Sequence, residues 1–196
     1  PVNCSTQAIN YAKSINQNAD LGEALDDAML NQQRIANIVS DLRAYSSPQS
    51  EGALTKVALA PLLEQSLKFC RNELRSIEVS VSLEEQACVQ GSESELQQVL
   101  VNVLLNAASA EATRINISQG RDAEHIHIAI KDDGVGFEEE KIKYLTDPFY
   151  STHDDANKMG LGLSICQTIM RRHQGDIHFS GVLGEGAQVT LSFPAD

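Results

Sequence analysis

Leu25, Ala28, Gln32, Ile35, Val39 and Leu42 recur at alternating spacings of three and four. That register places them along one seam of a helix, with Gln32 as its single polar member. A shorter apolar stripe of Ala8, Ile9, Ala12 and Ile15 precedes it, and the polar run from Asn16 to Asp20 reads as a turn. The pattern predicts two antiparallel helices, over residues 2–17 and 21–46. A lone helical hairpin cannot bury both of its faces, so two copies are expected to pair into a four-helix bundle. Ser46 to Glu51, interrupted by Pro48, then reads as a linker. The resulting organisation is a dimerisation hairpin over 1–47, a linker over 48–53 and a second domain over 54–196.

The second domain mixes two periodicities. Thr55 to Leu59 reads as a short strand, and Ala60 to Arg75 as a helix with Pro61 in its first turn. Ile77, Val79, Val81 and Leu83 alternate as a strand does, and Glu93 to Ala112 is a long helical stretch. Ile115 and Ile117, then Ile126, Ile128 and Ile130, mark two further strands. Gly162 to His173 reads as a helix, and Ile177–Ser180 and Val189–Phe193 as closing strands. This order predicts an α+β fold, a two-layer α/β sandwich with a mixed sheet and helices on one face.

Composition narrows the chemistry. The formal charge is -12, from 27 acidic and 15 basic residues, which argues against a nucleic-acid partner. No run of about 18 apolar residues is present, so no membrane contact is expected of this stretch. Cys4, Cys70, Cys88 and Cys166 lie far apart without metal or redox spacing. They read as reduced thiols of a cytoplasmic protein.

Four segments carry candidate chemistry. Gln98, Asn102 and Asn106 are spaced by four, so they share a face of an otherwise apolar helix. Such a row is either bonded within a core or offers neutral oxygen ligands. Asp132, Asp133, Gly134, Val135, Gly136 and Phe137 come directly after a strand. This is either a plain tight turn or a carboxylate placed to accept from an amino group, with glycines that let the backbone approach a flat base. Asp147 to His153 sets Phe149 and Tyr150 before a polar stretch ending at Lys158, an ordinary loop or a hinged lid. Gly160, Leu161 and Gly162 open a helix whose free N–H groups suit phosphate.

In order and spacing, these segments resemble the N box, first glycine box, F box and second glycine box of histidine kinase catalytic domains. Gly184, Glu185 and Gly186 resemble the family's last glycine turn, and the likeness covers residues 54–194. The wider superfamily includes DNA gyrase, a heat-shock chaperone and mismatch-repair ATPases. Arg34, Ile35, Ile38, Val39, Asp41, Leu42, Arg43, Tyr45 and Ser46 resemble the end of a sensor kinase's second dimerisation helix. Pro1 and Val2 resemble the residues C-terminal to the phosphoacceptor in the pattern His-Glu-x-x-x-Pro, which places that histidine just upstream.

The resemblance implies ATP and Mg²⁺ as cofactors. It assigns Asn106 as the Mg²⁺ ligand, Asn102 beside it at the phosphates and Asp132 to the adenine amino group. Gly134 and Gly136 shape the base pocket. Phe149, Thr152 and His153 belong to the lid, and Gly160, Leu161 and Gly162 to the phosphate cradle. Departures from the pattern are Ser109 and Ala110 in place of a frequent Lys, His153 for Lys, Lys158 for Gly and Ala187 for Thr or Ser. The implied reaction moves the γ-phosphoryl group of ATP to a histidine and then to a response-regulator receiver domain, within a homodimer. Rival readings are a clamp ATPase, disfavoured by Asn102 where a catalytic glutamate would stand, and a nucleotide-binding regulator without transfer.

Overall fold

The computed structural model describes Leu25, Ala28 and residues 54–84, 86–150 and 160–195. The chain divides into two compact units: Pro1–Gln49 with Asp155–Met159, and Ser50–Asp154 with Gly160–Asp196. In the first unit Leu25 and Ala28, three apart on the predicted seam, are both helical. The rest of the expected hairpin and the linker lie outside the described residues.

The second unit begins with β1 (Thr55–Ala58) and α1 (Leu59–Phe69), then β2 (Glu78–Ser82) and β3 (Cys88–Gly91). Next come α2 (Glu93–Ser109), β4 (Arg114–Arg121) and β5 (His125–Asp132). A 3₁₀ turn (Glu139–Tyr144), α3 (Gly162–Arg172), β6 (Asp176–Val182) and β7 (Gly186–Pro194) complete it. Five strands form a sheet in the order β2-β4-β5-β7-β6. Only β2 and β4 pair in parallel, so the sheet is mixed, as expected.

Period two organises the central strand. Ile126, Ile128 and Ile130 are buried, and the next position in the same register, Asp132, is buried with them. The opposite register is polar: His127 stands across from Ser192 and Lys131 from Gln188. Helices therefore cover one face. α2 packs between α1 and α3 and lies against β5, while α3 lies against β6. Val99, Leu104, Ile128, Met170 and Leu191 are fully buried between the layers.

The structure corrects the expected elements in three places. β1 does not join the main sheet; it pairs antiparallel with β3, a strand the hydrophobic pattern did not mark, in a separate two-stranded sheet. α1 ends at Phe69 rather than Arg75, and irregular turns carry the apolar stripe on through buried Cys70 and Leu74. Val81 alternates like a core residue but is exposed, because β2 is a sheet edge.

His173, buried at the end of α3, joins that helix to the start of α2. Its Nδ1 donates to the Ile169 carbonyl at 2.8 Å, which leaves Nε2 to accept from the Ser92 N–H at 2.9 Å. Beside it, Arg172 pairs with Glu95 at 2.7 Å. No described helix is long and apolar enough to cross a membrane. Cys70 and Cys88 are free thiols, and the buried Cys166 thiol donates to the Val99 carbonyl at 3.9 Å.

Candidate nucleotide-binding site

Helix α2 is the spine of the site. Asn102, Asn106 and Ala110 succeed one another at single-turn steps, spanning about 12 Å along the axis. At one end the Asn102 amide donates to the Gly162 carbonyl at 3.2 Å. At the other, the Ala110 carbonyl accepts from the Val135 N–H at 2.9 Å. Between them the half-buried Asn106 side chain makes no hydrogen bond among the described residues. Gln98 is half-buried as well, so the carboxamide row runs along the rim of the core rather than inside it.

The first glycine turn caps this helix. A Cβ at Gly134 would lie 2.2 Å from the Ala110 carbonyl oxygen, a distance no side chain tolerates. α2 ends at Ser109 rather than Ala112, because Glu111 takes a left-handed φ of 59° that no helix continues through, and the Ala110 carbonyl beyond the last helical residue accepts from Val135.

Asp132 is 6% exposed. Its Oδ1 accepts the Gly134 N–H at 2.9 Å and the Ala187 N–H at 3.3 Å. No donor from another described residue reaches Oδ2, which makes it an acceptor in reserve. Burial raises the pKa of this carboxyl above the ordinary 3.8, against the lowering effect of the two N–H bonds. Its neighbour behaves oppositely. Asp133 accepts from the N–H groups of Arg114 and Thr113, from the Thr113 hydroxyl and from Arg114 Nε. These bonds, the Arg114 N–H foremost, hold its pKa well below the usual carboxylate range.

Two glycine turns mesh against the strand end. Gly136 packs so closely on β6 that a Cβ would sit 2.1 Å from the Val182 carbonyl. The Gly184 N–H donates to the Val135 carbonyl at 2.7 Å. Gly186, at φ +91°, lies under Asp132, where a Cβ would meet the Asp132 carbonyl at 2.2 Å. Its left-handed backbone is available to glycine with little strain. The turn aims the next N–H, that of Ala187, at Asp132.

The start of α3 faces Asn102. Leu161, at the N-cap, is buried, and no side chain caps the helix. The first-turn N–H groups of Gly162, Leu163 and Ser164 lack intrahelical acceptors, and no acidic residue occupies that turn. The Ser164 hydroxyl turns back to the Leu161 carbonyl at 2.8 Å. This is an electropositive helix terminus suited to anions. Just before it, the Phe149 N–H donates to the Gly160 carbonyl at 3.0 Å. Both residues have positive φ, 68° and 67°. Phe149 is 65% exposed, so it does not serve as a core anchor. Thr152 and His153 lie outside the described residues, as does the expected lid apart from Tyr150.

The described candidates thus divide between the two ends of the Asn102–Ala110 stretch of α2. Asn102, Leu161 and Gly162 gather at the α3 start, with Gly160 and Phe149 at its approach. Asp132, Gly134 and Gly136 gather at the strand end, and Asn106 stands between the groups. Sequence reasoning missed the Ala187 N–H, because a backbone donor leaves no side-chain signature. It also assigned no role to Asp133.

The histidine kinase-, DNA gyrase B-, and HSP90-like ATPase family model matches residues 91–196. A putative sensor protein of Shewanella frigidimarina is 34% identical over 82% of this chain and 25% of its own length. Sporulation kinase C of Bacillus subtilis is 31% identical over 83% of this chain and 39% of its own. The chain thus spans well under half the length of these relatives. Among solved structures, the mycobacterial sensor histidine kinase MprB shares the fold at a TM-score of 0.66 and 23% identity, over 72% of this chain and 97% of that one. The chain belongs to the histidine kinase-, DNA gyrase B-, and HSP90-like ATPase family, with its ATP-binding fold, and is homologous to sensor histidine kinases.

Proposed function

We propose that this chain is the ATP-binding catalytic portion of a sensor histidine kinase, which phosphorylates a histidine on a dimerisation hairpin for relay to a receiver-domain aspartate. One observation carries the reading: Asp132 Oδ2, which no donor from another described residue reaches, and the start of α3, with no side-chain cap, lie at opposite ends of the Asn102–Ala110 stretch of α2. Asp132 accepts from the adenine amino group, and Gly134 and Gly136 leave room for the flat base. The Gly162, Leu163 and Ser164 N–H groups hold phosphate oxygens, and Asn102 fixes the start of that helix.

The residues present fit a Mg²⁺ ion. Asn106 offers a half-buried oxygen without a partner among the described residues, a neutral donor suited to a hard cation. No group of three or more His, Cys, Asp or Glu side chains among the described residues is placed to hold a metal, so nucleotide phosphates supply other ligands in this reading. Mg²⁺, when bound, neutralises charge on the transferring phosphoryl group. Thr152 and His153 contact the same phosphates.

The remaining work is positioning. A neutral imidazole nitrogen, available near pH 7 given a pKa of about 6.5, attacks the γ-phosphorus in line. The bond from that phosphorus to the bridging oxygen breaks, and ADP leaves. Homodimerisation through the hairpin brings the acceptor to the site.

The test incubates the chain with γ-labelled ATP, alone and with a hairpin that carries a His-Glu segment. The expected result is no label on the chain and acid-labile label on the added hairpin. Rapid phosphate release from ATP without acid-labile label on any histidine would overturn the kinase reading in favour of an ATPase. Acid-labile label on the chain itself would overturn the acceptor assignment and make His153 the first residue to replace.

A further inference from the structure

Asp133 sits beside the base-reading carboxylate yet faces away from it. The β4–β5 ladder runs out at the pair Ile115 and Asp132. Beyond it, among the described residues, one long backbone bond links β5 to β4, from the Asp133 N–H to the Arg114 carbonyl at 3.3 Å. A strand end held so weakly frays. Here the Asp133 carboxylate supplies the closure. Its Oδ1 accepts from the Thr113 and Arg114 N–H groups at 2.8 and 2.7 Å, and its Oδ2 from the Thr113 hydroxyl and Arg114 Nε at 2.7 and 3.2 Å. From the other side Gly186 bears on the same segment, where a Cβ would lie 2.9 Å from the Asp133 Cα.

We infer that Asp133 is a positioning residue for nucleotide selection: by clamping the end of β5 to the start of β4, it fixes the direction in which Asp132 presents its second oxygen, Oδ2. The inference rests on the base-reading role proposed for Asp132. The coupling is short and covalent. Asp133 lies between Asp132 and Gly134, and the Gly134 N–H is the closer of the two donors that hold Asp132 Oδ1. If the Asp133 peptide turns, that N–H turns with it, Oδ1 is released and Oδ2 loses its aim. The clamp touches neither the α3 start nor Asn106, so it acts on the base and not on the phosphates.

Calorimetry with three ligands separates these effects: ATP, purine riboside triphosphate, which lacks the 6-amino group, and tripolyphosphate, each with Mg²⁺. The wild type should prefer ATP over the purine analogue by about tenfold or more, the size of one hydrogen bond to a charged group. In D133A the preference should collapse to about threefold or less, with tripolyphosphate affinity unchanged. D133N, which keeps an acceptor oxygen for the two N–H groups, should retain most of the preference. A general loss of structure would weaken tripolyphosphate as well and would not be rescued by Asn. Undiminished preference in a folded D133A overturns the inference. Should D133A not fold, the double variant Thr113→Val with Arg114→Leu carries the reading, since it removes only the two donors to Oδ2. Its preference should fall about threefold, and full preference there overturns the inference. A wild type without preference instead overturns the base-reading role of Asp132.

Discussion

Replacing Asp132 by Asn separates binding from stability, because the structure predicts opposite signs for the two. The Gly134 and Ala187 N–H groups both point at Oδ1, so in the variant they select the amide oxygen for that position. The NH₂ group then replaces Oδ2 and confronts the adenine amino group, donor against donor. The loss is at least one hydrogen bond to a charged acceptor, about 1.5–3 kcal/mol, or roughly 10–150-fold in affinity. Stability should not fall with it. Burial raises the Asp132 pKa in the folded chain, so the fold favours the protonated form and loses stability as pH rises from the unfolded value through the raised one. At pH 7.5 the neutral variant should therefore be at least as stable as the wild type. The same shift predicts that wild-type ATP affinity falls on acidification at a pH above the ordinary aspartate value of 3.8, while the variant is flat there. Calorimetry across pH, with urea unfolding at pH 7.5, checks each part. Binding weakened by less than about threefold, together with stability lost by about 2 kcal/mol, would refute the reasoning and make Asp132 a structural turn residue.

Asn106→Asp should retain the metal ligand but place a further negative charge beside the triphosphate, slowing transfer about tenfold or more; full activity in a chain joined to its phosphoacceptor would remove Asn106 from the site. Gly134→Ala should destabilise by about 1–3 kcal/mol in urea titrations, because its Cβ would lie 2.2 Å from the Ala110 carbonyl. Adding Ala110→Gly should not restore stability, since the clashing atom is backbone; rescue by that second change would show the strain to be between side chains.

The parts of the fold visible in the sequence were those written in local periodicity. The β5 alternation carried not only Ile126, Ile128 and Ile130 but also Asp132 onto the helix-covered face. Asn102 and Asn106 shared a helix face for the same reason. What stayed hidden was set by partners distant in sequence. β3 is four residues whose buried positions are a valine and a glycine, too little apolar pattern to mark a strand, and it pairs with β1. The carbonyl at the end of α2 is satisfied by a turn that lies two strands further along the chain. The Ala187 N–H matters through direction alone, and Asp133 looked like part of a glycine turn until Thr113 and Arg114 came beside it. The dimerisation hairpin rests on its heptad spacing and on sequence resemblance, and Thr152 and His153 on resemblance; apart from Leu25 and Ala28 these lie outside the described residues.

The bond between Phe149 and Gly160 bears on how this site can change over evolutionary time. Because that bond holds the two ends of residues 150–159 together, the described fold does not depend on the number of positions between them. The entropy of closing such a loop grows only with the logarithm of its length, so doubling it with unstructured residues costs about 0.6 kcal/mol. Insertions there leave the sheet, α2 and the Asp132 end untouched. Residues 150–159 are thus a part of the chain open to drift in length at little thermodynamic consequence for the described fold.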